Sequence, residues 1–188
     1  MATTLEYRSV SLSFPKEIKE IQTPEVRLEP LKYSQETLDL WFKWMNDPDL
    51  RKYMSLSLTN DKEHIREWLE LASMGESRHY FTIMTEGLPA QAGKNIGFVS
   101  VRQDENPKDT AEIGIIIGEK EYQGKGIGST VLKEVLTKCE DEYHLSSVRA
   151  LIKPFNEKSI KLFTKLGFVE DTRVTVLDEP FIRYVKHF

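Results

Sequence analysis

The 188-residue sequence predicts an α/β fold, with one mixed central sheet flanked by helices in a single domain. Three observations predict it. Thr110 to Gly118 reads TAEIGIIIG, a β-rich apolar run. Past a glycine turn, Ile127, Val131, Leu132, Val135, Leu136 and Cys139 recur at helical spacing, with Lys133, Glu134 and Lys138 between them. Strand-like and helix-like stretches alternate along the chain in the order β-α-α-β-β-β-α-β-α-β-β, with no internal repeat or low-complexity tract.

The elements justify themselves in turn. In residues 1–25, Leu5, Tyr7, Val10, Leu12 and Phe14 alternate loosely, which suits an extra strand or hairpin. Pro15 and Pro24 interrupt it, and Lys16 to Ile21 suits a short helix. The regular domain, residues 26–188, opens with the alternating strand Val26 to Leu31. Ser34 offers an N-cap to a helix carrying Leu38, Trp41, Trp44 and Met45, which Asn46-Asp47-Pro48 stops. Asn60 and Glu63 form a capping-box-like pair before Ile65, Trp68, Leu69 and Ala72, and Gly75 ends that helix. Arg78 to Thr85 and Asn95 to Arg102 read as strands around a loop with Gly87, Pro89 and Gly93, and Asp104 to Asp109 as a turn. Ser147 to Lys153 alternates and stops at Pro154. Asn156 then caps a helix with Ile160, Phe163 and Leu166 on one stripe, and Gly167 sits where a left-handed C′ residue belongs. Val169 to Leu177 and Phe181 to Phe188 close the sheet through Asp178-Glu179-Pro180.

Composition excludes several classes. Apolar residues make up 39% and charged residues 30%, as in ordinary globular proteins, and no apolar run is long enough to cross a membrane. The N-terminus MATTLEYRSV lacks the basic stretch and apolar core of a secretory signal, so a cytoplasmic setting is expected. One cysteine allows no internal disulfide, and Cys139 falls on the apolar stripe of its helix. His64, His79, His144 and His187 are scattered without metal-ligand spacing, and no Gly-x-Ser-x-Gly elbow occurs. The net charge of −4 leans away from nucleic acid and toward a cationic substrate.

The chemistry concentrates in Gln123-Gly124-Lys125-Gly126-Ile127-Gly128, between the apolar strand and its helix. N–H groups at a helix start have no intrahelical partner and carry the positive end of the dipole. Glycines let that backbone approach an anion closely. The spacing is neither a Walker A loop nor Gly-x-Gly-x-x-Gly. Gln-x-x-Gly-x-Gly instead resembles the acyl-CoA loop of the GNAT superfamily of N-acetyltransferases. Downstream, Asn156-Glu157-Lys158-Ser159-Ile160 and Lys165-Leu166-Gly167-Phe168 resemble that family's next segment, Asn-x-x-(Ala/Ser)-Ile to Leu-Gly-Phe. Val26-Arg27-Leu28-Glu29-Pro30-Leu31 and Trp44-Met45-Asn46-Asp47-Pro48 are similar to the branch with ribosomal-protein N-terminal and polyamine acetyltransferases. The resemblance runs from about Val26 to the C-terminus.

The resemblance implies transfer of an acetyl group from acetyl-CoA to a primary amine, by a monomer or homodimer, with no metal. It implies that Gln123, Gly124, Lys125, Gly126, Ile127, Gly128 and Ser129 hold the pyrophosphate. It implies that the backbone of Ile116, Ile117 and Gly118 pairs with the pantetheine arm; the isoleucines read equally as core. Asn156 reads equally as a cofactor contact and as a helix cap. An unperturbed lysine-type amine, with a pKa of about 10.4, is charged at pH 7 and must lose a proton before it attacks. Glu112, on the central strand, is the candidate base. The family's thiolate-protonating tyrosine is replaced by Phe163, which has no proton to give but can pack against pantetheine. Tyr80, Tyr122 and Tyr184 are available replacements. In the resembling branch, the region between the first and third strands lines the acceptor side. Here it carries Asp47, Asp49, Asp61, Glu63, Glu67, Glu70 and Glu76, against Arg51, Lys52, Lys62, Arg66 and Arg78. That balance points to a cationic acceptor. A catalytically silent acyl-CoA-binding or sensing module is the alternative, and a nucleotide-phosphate binder using the same loop is a third reading.

Overall fold

The computed structural model describes residues 24–55, 60–74, 78–86 and 93–188. The expected N-terminal hairpin and helix, the Gly75 stop and the Gly87 and Pro89 loop positions lie outside them. Seven strands form one sheet: β1 (Val26–Pro30), β2 (Arg78–Thr85), β3 (Asn95–Gln103), β4 (Thr110–Ile117), β5 (Ser147–Ile152), β6 (Val169–Val176) and β7 (Glu179–His187). Their order is β1-β2-β3-β4-β5-β7-β6. Every neighbouring pair is antiparallel except β4 and β5.

Helices α1 (Gln35–Met45), α2 (Pro48–Arg51), α3 (Lys62–Met74), α4 (Ile127–Asp141) and α5 (Glu157–Lys165) cover the sheet. Period-two alternation sorts their partners. Ala111 and Ile113 of β4 join the cluster of Ile127, Val131, Leu132, Val135 and Cys139 on α4 and Phe163 on α5. Ile116 turns to the opposite face, against the cluster of Leu38, Trp41 and Trp44 on α1 and Ile65 and Leu69 on α3. Trp41 lies flat on Phe98, with ring centroids 3.8 Å apart. Trp41 and Trp44 are buried core, and Trp68 is partly buried against them.

Three details differ from the sequence reading. Asn46-Asp47-Pro48 stops α1 but also starts α2: the Asp47 carboxylate accepts the Asp49 N–H at 2.9 Å, and Pro48 occupies the first turn. Asp61, not Asn60, caps α3, accepting the His64 N–H at 3.0 Å. The last hairpin turns at Leu177 and Asp178, whose φ values of 49° and 62° suit a tight two-residue connection, so Glu179 and Pro180 belong to β7.

Candidate functional site

A gap in the sheet organises the site. β4 and β5 pair only over Thr110, Ala111 and Glu112 against Ser147, Val148 and Arg149. Beyond Glu112, no strand pairs with that edge of β4 among the described residues. The Gly118 N–H donates to the Ile96 carbonyl at 2.8 Å, toward β3. By alternation, Ile113, Ile115 and Ile117 turn their backbone groups into the gap. Of the expected trio Ile116, Ile117 and Gly118, only Ile117 therefore faces it. The Ile117 carbonyl already accepts Gln123 Nε2 at 2.8 Å, which ties the glycine loop to the strand end.

That loop is a cradle. Gly124 and Gly126 have φ of +72° and +82°, where side chains other than glycine are strained. A Cβ on Gly124 would meet nothing within 4 Å, so the space over the loop is open. Gly126 stands at the N-cap of α4 with no side-chain cap. The Ser129 N–H turns back to the Gly126 carbonyl at 2.9 Å, while Ile127 and Gly128 make the first turn. Gly128 also lets α5 approach: a Cβ there would lie 3.1 Å from Leu162 Cδ2. Lys125 and Lys94 place their ammonium groups 5.7 and 5.8 Å from the Tyr122 ring. Open space, an uncapped helix start and a nearby lysine fit a pyrophosphate.

Between strand and loop lies a joint that the sequence did not reveal. A Cβ on Gly118 would overlap the Trp44 indole, so glycine is the residue that seats α1 there. Glu119 is 5% exposed. Its Oε1 accepts Lys43 Nζ at 2.6 Å and Trp44 Nε1 at 3.0 Å, and its Oε2 accepts Lys94 Nζ at 2.7 Å. Burial pushes this carboxyl up, but the hydrogen bonds from Lys43, Lys94 and Trp44 outweigh it and hold the pKa at about 2. Lys120 Nζ reaches Asp47 at 3.1 Å and Asp49 at 2.9 Å. In sequence this stretch is only a polar link, because its partner Trp44 lies 75 residues away.

Two expectations follow from the joint. Gly118→Ala should destabilise the fold by about 1–3 kcal/mol, the usual cost of overpacking, read as a lower denaturant midpoint at unchanged slope. Glu119 has a folded pKa below its unfolded value of 4.5, so its stabilisation is full above pH 4.5 and is lost as the pH falls toward 2. Glu119→Gln should flatten the stability-against-pH curve in that window, measured by urea titrations at successive pH values. An unchanged curve would remove Glu119 from the acid response.

The candidate base is not a lone carboxylate. Glu112 shares the sheet face of Ile116, pairs directly with Arg102 and lies 3.7 Å from Arg149 Nε. Arg149 is itself held by Asp104 at 2.5 and 2.8 Å. Glu112 thus sits where β4 and β5 are still joined, at the closed end of the gap. Phe163 is 3% exposed and packs edge-on against Phe168 at 5.0 Å. Asn156 caps α5, its Oδ1 accepting the Ser159 N–H at 3.2 Å. Tyr184 faces the α4 cluster with its hydroxyl 3.5 Å from Glu170, Tyr122 ends the short helical turn before the glycine loop, and Tyr80 packs edge-on to Trp68. Burial pushes the Cys139 thiol up to about 12, as suits a core side chain.

Lys153 is also buried, 2.5 Å from Glu179 and 4.4 Å from the Phe181 ring centre. The acids expected to form an acceptor rim are largely paired: Asp47 and Asp49 with Lys120, Glu63 and Glu70 with Arg66. Among the described residues no group of three acidic, histidine or cysteine side chains could hold a metal, and no helix is long and apolar enough to cross a membrane.

The profile of the family described as Acetyltransferase (GNAT) domain matches residues 25–169. The chain is 25% identical over 149 residues to an uncharacterized N-acetyltransferase p20 of Bacillus licheniformis, covering 77% of this chain and 80% of that one. A crystallised domain from Methanocaldococcus jannaschii is 25% identical, with a TM-score of 0.70 over 88% of this chain and 99% of its own. The spermidine N-acetyltransferase of Vibrio cholerae, in complex with CoA and spermine, superposes with a TM-score of 0.71 at 18% identity, over 86% of this chain and 95% of that one.

Proposed function

Because the chain belongs to the GNAT acetyltransferase family, we propose that it moves an acetyl group from acetyl-CoA to a primary amine through the β4–β5 gap. The observation that carries this reading is the continuity of the half-paired edge of β4 with the glycine cradle. An extended, amide-bearing arm adds to such an edge by main-chain hydrogen bonds, here from Ile113, Ile115 and Ile117. The backbone from Gly124 to Gly128 holds the phosphates, with Lys125 adding charge and Gln123 fixing the loop. Ser129, Asn156 and Phe163 line the α4–α5 side of this reading. The donor supplies an activated thioester.

Everything else falls to the chain itself. Glu112 is the negative charge proposed to receive the acceptor's ammonium and pass its proton to solvent. Its pairing with Arg102 and Arg149 fixes the carboxylate in place. Phe163 gives no proton, so the departing thiolate is protonated by water or by a group outside α5. The acceptor proposed is an amine with a further positive charge, as spermine has. The net charge of −4 supports it, and the pairing of Asp47, Asp49, Glu63 and Glu70 limits the local field.

An amine screen read by release of free CoA tests the reaction. Repeating it across ionic strength tests the acceptor class: KM for a cationic amine should rise as salt shortens the Debye length to about 8 Å and below. An acceptor with no charge beyond its amine, or a KM indifferent to salt, overturns the electrostatic part alone. The buried phenyl of Phe163 and the engaged Glu112 favour one second reading, a silent acyl-CoA-binding module. Binding of acetyl-CoA without turnover of any amine would select it.

A further inference from the structure

Among the described residues, two charged side chains are buried, Glu119 and Lys153. A buried carboxylate is costly unless it is paired and hydrogen-bonded, and Glu119 has three donors, two of them cationic. Its place in the chain is singular. Glu119 follows the last residues of the β4 edge and precedes the glycine loop, so it lies between the two structures that the proposed reaction gives to acetyl-CoA. Its donors divide by oxygen. Oε1 serves Lys43 and Trp44, both on α1, on the sheet face that carries Glu112. Oε2 serves Lys94, at the entry to β3, and Lys94 also holds Glu121 at 2.9 Å, inside the approach to the glycine loop. One carboxylate therefore ties the helix on the acceptor side to the segment on the cofactor side. Gly118 seats the same indole, and Lys120 adds a second stitch to Asp47 and Asp49 at the start of α2.

We propose that Glu119 is a positioning residue that sets the acceptor wall and the acetyl-CoA wall relative to one another, so that binding of both substrates depends on it. The proposal rests on the acetyl-transfer reading. It follows from geometry: Glu119 bonds α1 through one oxygen and Lys94 through the other, so a joint shared by two walls transmits its displacement to both. A glutamine at this position keeps the shape but turns an amide donor toward Lys43 or Lys94. One wall then loses its anchor outright and the other keeps only a weaker, neutral one.

The test uses calorimetry with acetyl-CoA and steady-state kinetics with the best amine from the screen, on the wild type and three variants. Glu119→Gln should raise both the Kd for acetyl-CoA and the KM for the amine by about tenfold, the scale of one charge-assisted hydrogen bond, with kcat at saturation nearly unchanged. Lys43→Met, which removes the charged one of the two α1 donors and leaves Trp44, should raise the amine KM alone. Lys94→Met, which frees only the loop side, should raise the acetyl-CoA Kd alone. A folded Glu119→Gln protein with both constants unchanged and only a lower Tm makes the carboxylate merely structural and overturns the proposal. Equal effects of Lys43→Met and Lys94→Met on both substrates overturn it too. Should Glu119→Gln fail to fold, the two lysine variants retain the carboxylate and decide the matter by their split. A wild type that does not bind acetyl-CoA at all overturns the reading beneath the proposal, a different outcome from any of these.

Discussion

Gly126→Val is expected to abolish measurable acetyl-CoA binding while leaving a protein that unfolds cooperatively. Gly126 has φ of 82° and ψ of −9°, the left-handed region, and serves as N-cap of α4. An L-residue pays about 1–2 kcal/mol to stay there, and a β-branched one is a clear outlier. The strain is relieved only by rotating Gly126 toward negative φ. That rotation re-aims the N–H groups at the start of α4, where the phosphates are proposed to sit. The core of α4, Val131, Leu132, Val135 and Cys139, lies further along the helix and keeps its contacts. Calorimetry against acetyl-CoA and a urea denaturation curve check the two halves of the expectation. Unchanged affinity in a folded variant would remove the loop from the binding site. Gly124→Ala should act in the same direction but less severely, since its Cβ enters open space and only φ of 72° opposes it.

Glu112→Gln should lower kcat by about 10²–10⁴-fold, the usual range for proton-transfer help, while the Kd for acetyl-CoA stays within about twofold. The substitution preserves the shape of β4, and Gln can still accept a hydrogen bond from Arg102. What it removes is the negative charge proposed to meet the acceptor's ammonium. The charge lost also leaves Arg102 with less compensation, since Asp104 already serves Arg149. Some loss of stability is therefore expected alongside the loss of rate, and the two are separated by assaying well below Tm. Because a lysine-type amine is neutral only toward its pKa of about 10.4, the wild-type rate at low acceptor concentration should climb as pH rises above 7. A Glu112→Gln rate within a factor of about two of the wild type would make Glu112 a strut of the Arg102–Arg149–Asp104 cluster and nothing more.

Where sequence and structure agree, the cause is local. The run TAEIGIIIG alternates faces as a strand whatever its neighbours are, and the α4 stripe repeats at 3.6 residues whatever it covers. Ser34 and Asn156 cap their helices with their own side chains, three residues along, so both are legible from a short window. The glycine loop was legible for the same reason: positive φ at Gly124 and Gly126 is a demand that glycine alone meets cheaply. Short windows also misled. Asn46-Asp47-Pro48 is a stop and a start together, and Asn60 competed with an adjacent Asp61 that holds the His64 N–H.

The sequence by itself determined the strand order, the helices other than α2, the family and the place of the glycine loop, because each is written in periodicity or in spacing along the chain. Only the tertiary structure decided which amides of β4 face the gap, since that depends on which alternate residues β3 claims, and Gly118 bonding to Ile96 settles it. It decided that Glu112 faces two guanidiniums, that the acidic rim is mostly paired, and that Glu119 is a buried joint rather than a polar link. Glu119 with Lys43 and Lys120 with Asp49 join residues 76 and 71 apart in the chain, beyond any short window, whereas Glu63 and Glu70 pair with Arg66 inside one helix. A charge's meaning is set by the partner that folding places beside it.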